Sequence, residues 1–122
     1  MVASTRLGLA LLKVQAMIRE ERLDAVIERL LLIGVRGLTV SRAQGFGRSS
    51  GHDEMYRGVA YRIDFRPKVV VEWVGTDGDA DGVVRAILKS AATGRIGDGK
   101  VFVTAVEEVV RVRTGERGEA AL

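Results

Sequence analysis

The segment Gly94-Arg-Ile-Gly-Asp-Gly-Lys100-Val101 holds the densest chemistry in this chain. It falls one residue short of G-x-x-x-x-G-K-[ST], the loop that cradles phosphates, because Val101 replaces the hydroxyl that would hold magnesium. The order of elements is also inverted: that loop runs from strand to helix, whereas this segment leaves a helical pattern and enters an apolar run. What survives is simpler. Gly97 and Gly99 let backbone N–H groups approach an anion with no Cβ in the way, and Lys100 adds a point charge. A helix-ending turn of the same composition is the competing reading. Arg111 and Arg113 favour the anion. Two residues apart on an expected strand, they would project from one face about 6.6 Å apart, a spacing suited to gripping a polyphosphate with forked donors. The alternative there is a solvated edge balanced by Glu107 and Glu108.

Other chemistries find less material. Cysteine is absent and His52 is the single histidine, which excludes disulfides, thiolate metal sites and multi-histidine centres. The carboxylates scatter over expected helix surfaces with no nucleophile–base pairing, so a binding module is expected rather than an enzyme. Gln44-Gly45-Phe46-Gly47-Arg48 touches the pattern of RNA-binding sheets but fails where Ser49 and Ser50 follow. Aromatics at 5% leave few rings for stacking bases, and a net charge of +3 is small for a nucleic-acid surface, so no nucleic-acid partner is expected.

The elements that must position these residues fit one domain of 122 residues, with 47% hydrophobic residues to build its core. The apolar run Leu7–Leu12 is too short for a secretory core or a membrane span, so a cytoplasmic protein is expected. Leu7–Ile18 reads as a buried strand, behind a short N-terminal extension (1–10) to a domain over 11–122. Leu23, Val26, Ile27, Leu30 and Leu31 then recur at helical spacing, with Gly34 as the stop. Val35–Gln44 returns to strand chemistry. A polar stretch over about 46–60 follows, far longer than a hairpin needs, and is read as a partner-binding loop. Tyr61, Ile63 and Phe65 alternate as a strand that Pro67 interrupts before Val69–Val74. After a turn at Gly75–Gly78, a second helix carries Val83, Ile87 and Ala91 to Gly94, and Val101–Val112 reads as the last strand.

Val83, Ile87, Gly94 and Gly97 repeat Leu23, Ile27, Gly34 and Gly37 at one fixed offset. A duplicated strand–helix–strand unit predicts an α+β, ferredoxin-like β-α-β-β-α-β fold, its long loop between strands two and three. Two helices on one face would leave valines, Phe65 and Trp73 on the other, and self-association is expected.

Gly45-Phe-Gly-Arg48, Gly51-His52, Tyr56-Arg-Gly58 with Tyr61, Phe65 before Pro67-Lys68, Thr93–Lys100 and Val110-Arg-Val-Arg-Thr-Gly-Glu116 together resemble the PII nitrogen-regulatory signal proteins. The resemblance runs without gaps from about Lys13 to Leu122. It implies a homotrimer whose inter-subunit clefts bind ATP or ADP, and 2-oxoglutarate with Mg2+ and ATP. It places Thr39, Gly47, Arg48 and Val74 on the nucleotide from one subunit, with Gly97, Asp98, Gly99, Lys100, Arg111 and Arg113 on the phosphates. Gly47, Ser49 and Lys68 would meet 2-oxoglutarate, and Ser49 would reach the magnesium ion through the ligand or a water. Tyr61 corresponds to the tyrosine that some members have modified. Partners implied are ammonium channels, glutamine synthetase regulators and arginine-pathway enzymes, with a membrane met only through a partner. Ser49 stands where the family usually carries glutamine, two atoms longer in reach, and Val59-Ala60 replace residues that often include an acid before the tyrosine. These departures keep a second reading open: an adenylate sensor of another pathway, such as inorganic-carbon uptake, with an altered second ligand.

Overall fold

Alternation along the strands decides which side of the sheet is dry. In this computed structural model, which describes residues 10–46, 52–56, 59–63 and 65–122, β1 (Leu11–Arg19) buries Val14, Ala16 and Ile18 and turns Lys13, Gln15 and Met17 to the opposite face. β2 (Thr39–Gly45), β5 (Arg66–Thr76) and β6 (Gly99–Val106) join it in the order β2-β5-β1-β6, every neighbouring pair antiparallel. The helices α1 (Leu23–Leu32) and α2 (Asp77–Ala91) both cover the face of Val14. Val26 and Leu30 of α1, and Val83 and Ile87 of α2, close one core with Val69 and Val71 of β5. Each such side chain, fully buried, contributes about 1.5–3 kcal/mol. The expected β-α-β-β-α-β plan is the one observed.

Local signals explain the helix ends. Asp77 and Asp79 sit in the first turn of α2, where the N-terminal dipole favours negative charge. α1 closes through Gly34, whose φ of 95° is open to glycine at little cost, while Val35 N–H reaches back to the Leu30 carbonyl at 3.0 Å.

Several boundaries differ from expectation. β1 begins at Leu11; residues 7–9, like most of the expected extension, lie outside the described residues. Ala10 is buried, and its carbonyl accepts the Asp77 N–H at 3.0 Å. The long connection is not structureless: β3 (His52–Tyr56) and β4 (Val59–Ile63) pair as a separate two-stranded sheet. Tyr61 and Ile63 therefore belong to that hairpin, and Phe65 lies between the two sheets. Pro67 does not break β5. It stands opposite Gln44 on β2, one residue beyond the last position paired with β1, Lys68, so its missing N–H costs the ladder little. β5 continues through Gly75 to Thr76 and α2 starts at Asp77, with no intervening turn.

The uncovered face is also less apolar than expected. Trp73 stands opposite Val14 and packs against the helix-side core, and Phe65 packs edge-on against Phe46, ring centroids 5.0 Å apart. The open face carries Thr39, Ser41, Lys68, Glu72, Lys13, Gln15 and Lys100 among Val70, Met17 and Phe102, as the register dictates.

The tightest backbone approach is at Gly99, where a Cβ would sit 1.7 Å from the Met17 carbonyl oxygen. Gly94 shares a positive φ, 84°, but has nothing within 4 Å. Gly94→Ala is expected to lose about 1–2 kcal/mol, the cost of a left-handed alanine. Gly99→Ala, which must also displace β1, loses clearly more; urea unfolding of both variants measures the difference.

Candidate functional site

Asp98 closes the turn between α2 and β6. Its carboxylate accepts the Thr93 N–H at 2.7 Å, the Gly94 N–H at 3.0 Å and the Thr93 hydroxyl, and Arg19 Nε from the end of β1 at 2.9 Å. The Thr93 hydroxyl, followed by the Arg19 guanidinium, holds Asp98 far below the usual carboxylate range. With its oxygens so engaged, Asp98 shapes the turn that carries Gly97, Gly99 and Lys100.

Arg19 Nη2 also donates to the Ile96 carbonyl at 2.7 Å, and Lys68 Nζ donates to the Gly97 carbonyl. Two cations from adjacent strands thus hold one turn, since Arg19 and Lys68 face each other across β1 and β5. Partial burial, and next the neighbouring Arg19 charge, push the Lys68 ammonium below the usual lysine value, with Glu21 and Asp98 offsetting part of this. Beside this cluster on the same face, Glu72 accepts Lys13 Nζ at 3.0 Å and Gln15 Nε2 at 2.6 Å. Those bonds, Lys13 first, hold its carboxyl below the usual range.

The register places Thr39, Val74, Lys68 and Lys100 on the open face, Thr39 on one edge strand and Lys100 on the other. Lys100 is exposed and pairs with no carboxylate among the described residues. The glycines also serve the fold: Gly99 makes room for the Met17 carbonyl, and Gly97 turns its own carbonyl onto Lys68.

Arg111 and Arg113 are not on a strand. β6 ends at Val106, and the chain folds into a turn closed by Gly115 N–H to the Arg111 carbonyl at 2.8 Å and by a bridge between Val110 and Arg117. The 6.6 Å strand spacing therefore does not apply. Arg111 donates to Glu116 Oε1 and to the Leu122 carbonyl, each at 2.9 Å, while Arg113 is exposed with no described carboxylate partner. Glu108, expected to balance this pair, is engaged by Arg117. Gly47, Arg48 and Ser49 lie outside the described residues; Tyr61 lies on β4.

Arg19, Thr93 and Glu72 are the participants that residue types alone did not single out. Thr93 was visible as the first residue of the Thr93–Lys100 motif. Among the described residues no cluster of three or more His, Cys, Asp or Glu side chains could hold a metal ion, and no helix is long and apolar enough to cross a membrane.

A family profile described as Nitrogen regulatory protein P-II matches residues 11–116. Curated relatives of that name include one from Rhizobium meliloti, 54% identical over 110 residues, covering 90% of this chain and 98% of that protein. Another, from Azospirillum brasilense, is 53% identical over the same shares. Among solved structures, one described as Arabidopsis thaliana PII bound to citrate superposes with a TM-score of 0.76 at 42% identity, covering 93% of this chain and 92% of the other.

Because folded Asp98 gives up its proton more readily than unfolded aspartate, it stabilises the fold above about pH 3.9, and that contribution fades as pH falls through its lower folded value. Asp98→Asn is therefore expected to be less stable than the parent at pH 7, the gap narrowing steadily below pH 4. Chemical denaturation at a series of pH values reads this directly; a gap independent of pH would remove the carboxylate from the account.

Proposed function

The chain belongs to the nitrogen regulatory protein P-II family, and from that premise we propose that it is a signal-transduction protein sensing ATP against ADP, with 2-oxoglutarate as its second ligand. The observation that carries this reading is the open face, where Lys68 bears a charge that burial and Arg19 disfavour, beside Lys100, which pairs with no carboxylate among the described residues. An anion arriving there relieves that penalty. The Arabidopsis relative is bound to citrate, a carboxylate ligand of the same chemical class as 2-oxoglutarate.

The topology supports a shared cleft. Thr39 lies on edge strand β2 and Lys100 on edge strand β6, three strand spacings apart, or about 14 Å. A nucleotide held by both sets is best served by two copies meeting edge to edge, in the closed trimer that the resemblance implies. Val74 and Thr39, with Gly47 and Arg48, contact the nucleotide from one copy. Gly97, Gly99, Lys100, Arg111 and Arg113 hold phosphates, and Asp98 keeps their turn in shape. Mg2+ enters with ATP and offsets phosphate charge; Ser49 reaches it through the ligand or a water.

Homologues are named as regulatory proteins, and the regulatory arm proposed here is the segment from residue 46 to residue 65, which carries the β3–β4 hairpin. It meets ammonium channels, glutamine synthetase regulators or another metabolic enzyme or transporter in the cytoplasm, and Tyr61 on β4 is its modification site. Ser49 in place of glutamine favours a second reading, in which the adenylate switch serves another pathway, such as inorganic-carbon uptake, with a different second ligand.

Calorimetric titration with ATP and ADP, each with and without Mg2+ and 2-oxoglutarate, separates the two. Strengthened ATP binding with 2-oxoglutarate is expected; adenylate binding indifferent to it selects the second reading, and no adenylate binding removes both. Lys68→Gln is expected to weaken 2-oxoglutarate roughly ten- to hundredfold, the loss of a charged hydrogen bond, while ATP alone still binds. Arg113→Ala should cost ATP roughly 1–3 kcal/mol more than it costs AMP, and equal losses would take Arg113 off the distal phosphates.

A further inference from the structure

The helix side of the sheet carries an open groove of about 1060 Å³ that shares Val74 with the open-face site. It runs along α1 and α2, and its α2 wall, from Gly78 to Lys89, extends over about 16 Å at the helical rise. Ile33 and Trp73 are among the largest apolar side chains of its lining, beside Val35, Val74, Val83 and Leu122. The indole is fixed across Gly75, where a Cβ would fall 2.2 Å from a ring carbon, so this chain keeps the ring at the groove by keeping residue 75 bare.

The charge along the groove is lopsided. Arg29, Arg36, Arg85 and Lys89 line it against Asp79 and Asp81. Arg85 is engaged by Asp81, whereas Arg29, Arg36 and Lys89 pair with no carboxylate among the described residues. We propose that this groove docks an acidic amphipathic helical segment of a partner protein, its apolar stripe on Ile33 and Trp73 and its carboxylates on Arg29, Arg36 and Lys89. The shape agrees with that occupant: an open trough three turns long suits a rod laid into it better than an enclosed small ligand. The chain's own residues 1–10 are the wrong occupant, because they carry Arg6 and no acid. Val74 lines both this groove and the open-face site, so the two meet at β5, while Arg29, Arg36 and Lys89 belong to the groove alone.

Trp73 is the only tryptophan, so its emission reports on the groove. A displayed library of random peptides is selected against the full chain, and enriched peptides are titrated by Trp73 emission against the parent and the charge-reversed pair Arg29→Glu with Lys89→Glu. The expected result is enrichment of Glu- or Asp-rich sequences with apolar residues at helical spacing. They should shift Trp73 emission, bind more weakly as salt rises, and lose about tenfold in affinity to the charge-reversed pair, whose ATP titration matches the parent. Three results would each overturn the proposal. One is that no acidic peptide is enriched, another that enriched peptides bind parent and variant equally. The third is that inorganic phosphate alone, at matched ionic strength, reproduces the emission shift and marks the groove as a small-anion site.

Discussion

One carboxylate ties Arg19 to the turn whose Gly97 carbonyl takes Lys68. Without Asp98, Arg19 and Lys68 would stand side by side at the ends of adjacent strands with Glu21 left to offset their repulsion, and Thr93 and Gly94 N–H would lose their acceptor. The same turn delivers the chain to Gly99, where β6 meets β1 so closely that no side chain fits. From there the register is set: Lys100 falls opposite Met17 on the open face, and Val101 opposite Ala16 on the core side. A one-residue slip would exchange the two and bury the lysine. The side-chain content of the open face therefore depends on a turn whose own residues touch the core very little.

That face is held in shape by polar bonds rather than by packing. Lys13 and Gln15 on the central strand fix Glu72 on its neighbour. Such pairs contribute little in water, but they orient groups that would otherwise sample many rotamers. A surface built this way can be wet in the single chain and still present fixed donors and acceptors to whatever is laid on it.

How much of this was legible in the sequence varied with the range of the interaction. The helices and the central strand were read correctly because their periodicity is local: Val14, Ala16 and Ile18 alternate, and Val26 and Leu30 lie one turn apart. Trp73 extends the alternation of Val69 and Val71 and so belonged on their side; it was misplaced because its size, rather than its position, was read. The run Val101–Val112 misled for the opposite reason. It stays apolar enough for a strand throughout, but the turn at Gly115 folds its end back and pairs Val110 with Arg117. Arg19 went unremarked because its partner Asp98 lies 79 residues away, a distance that no local pattern spans. The β3–β4 hairpin was hidden by composition, since His52, Asp53 and Glu54 carry none of the residues that mark strands.

The pairing of Phe46 with Phe65 closes the base of the hairpin segment, next to the rung between Gly45 and Arg66. Between those rings the described strands are β3 and β4, paired with each other and not with the four-stranded sheet. In the role proposed for this segment, substitutions, lengthening or shortening between the rings would act on partner recognition while the pairings of the four-stranded sheet stay as they are. On that proposal, a lineage would retarget this protein by rewriting some eighteen consecutive residues while the sheet, the turn at Asp98 and the open face are inherited unchanged. Evolvability here is a property of where two aromatic rings close a loop.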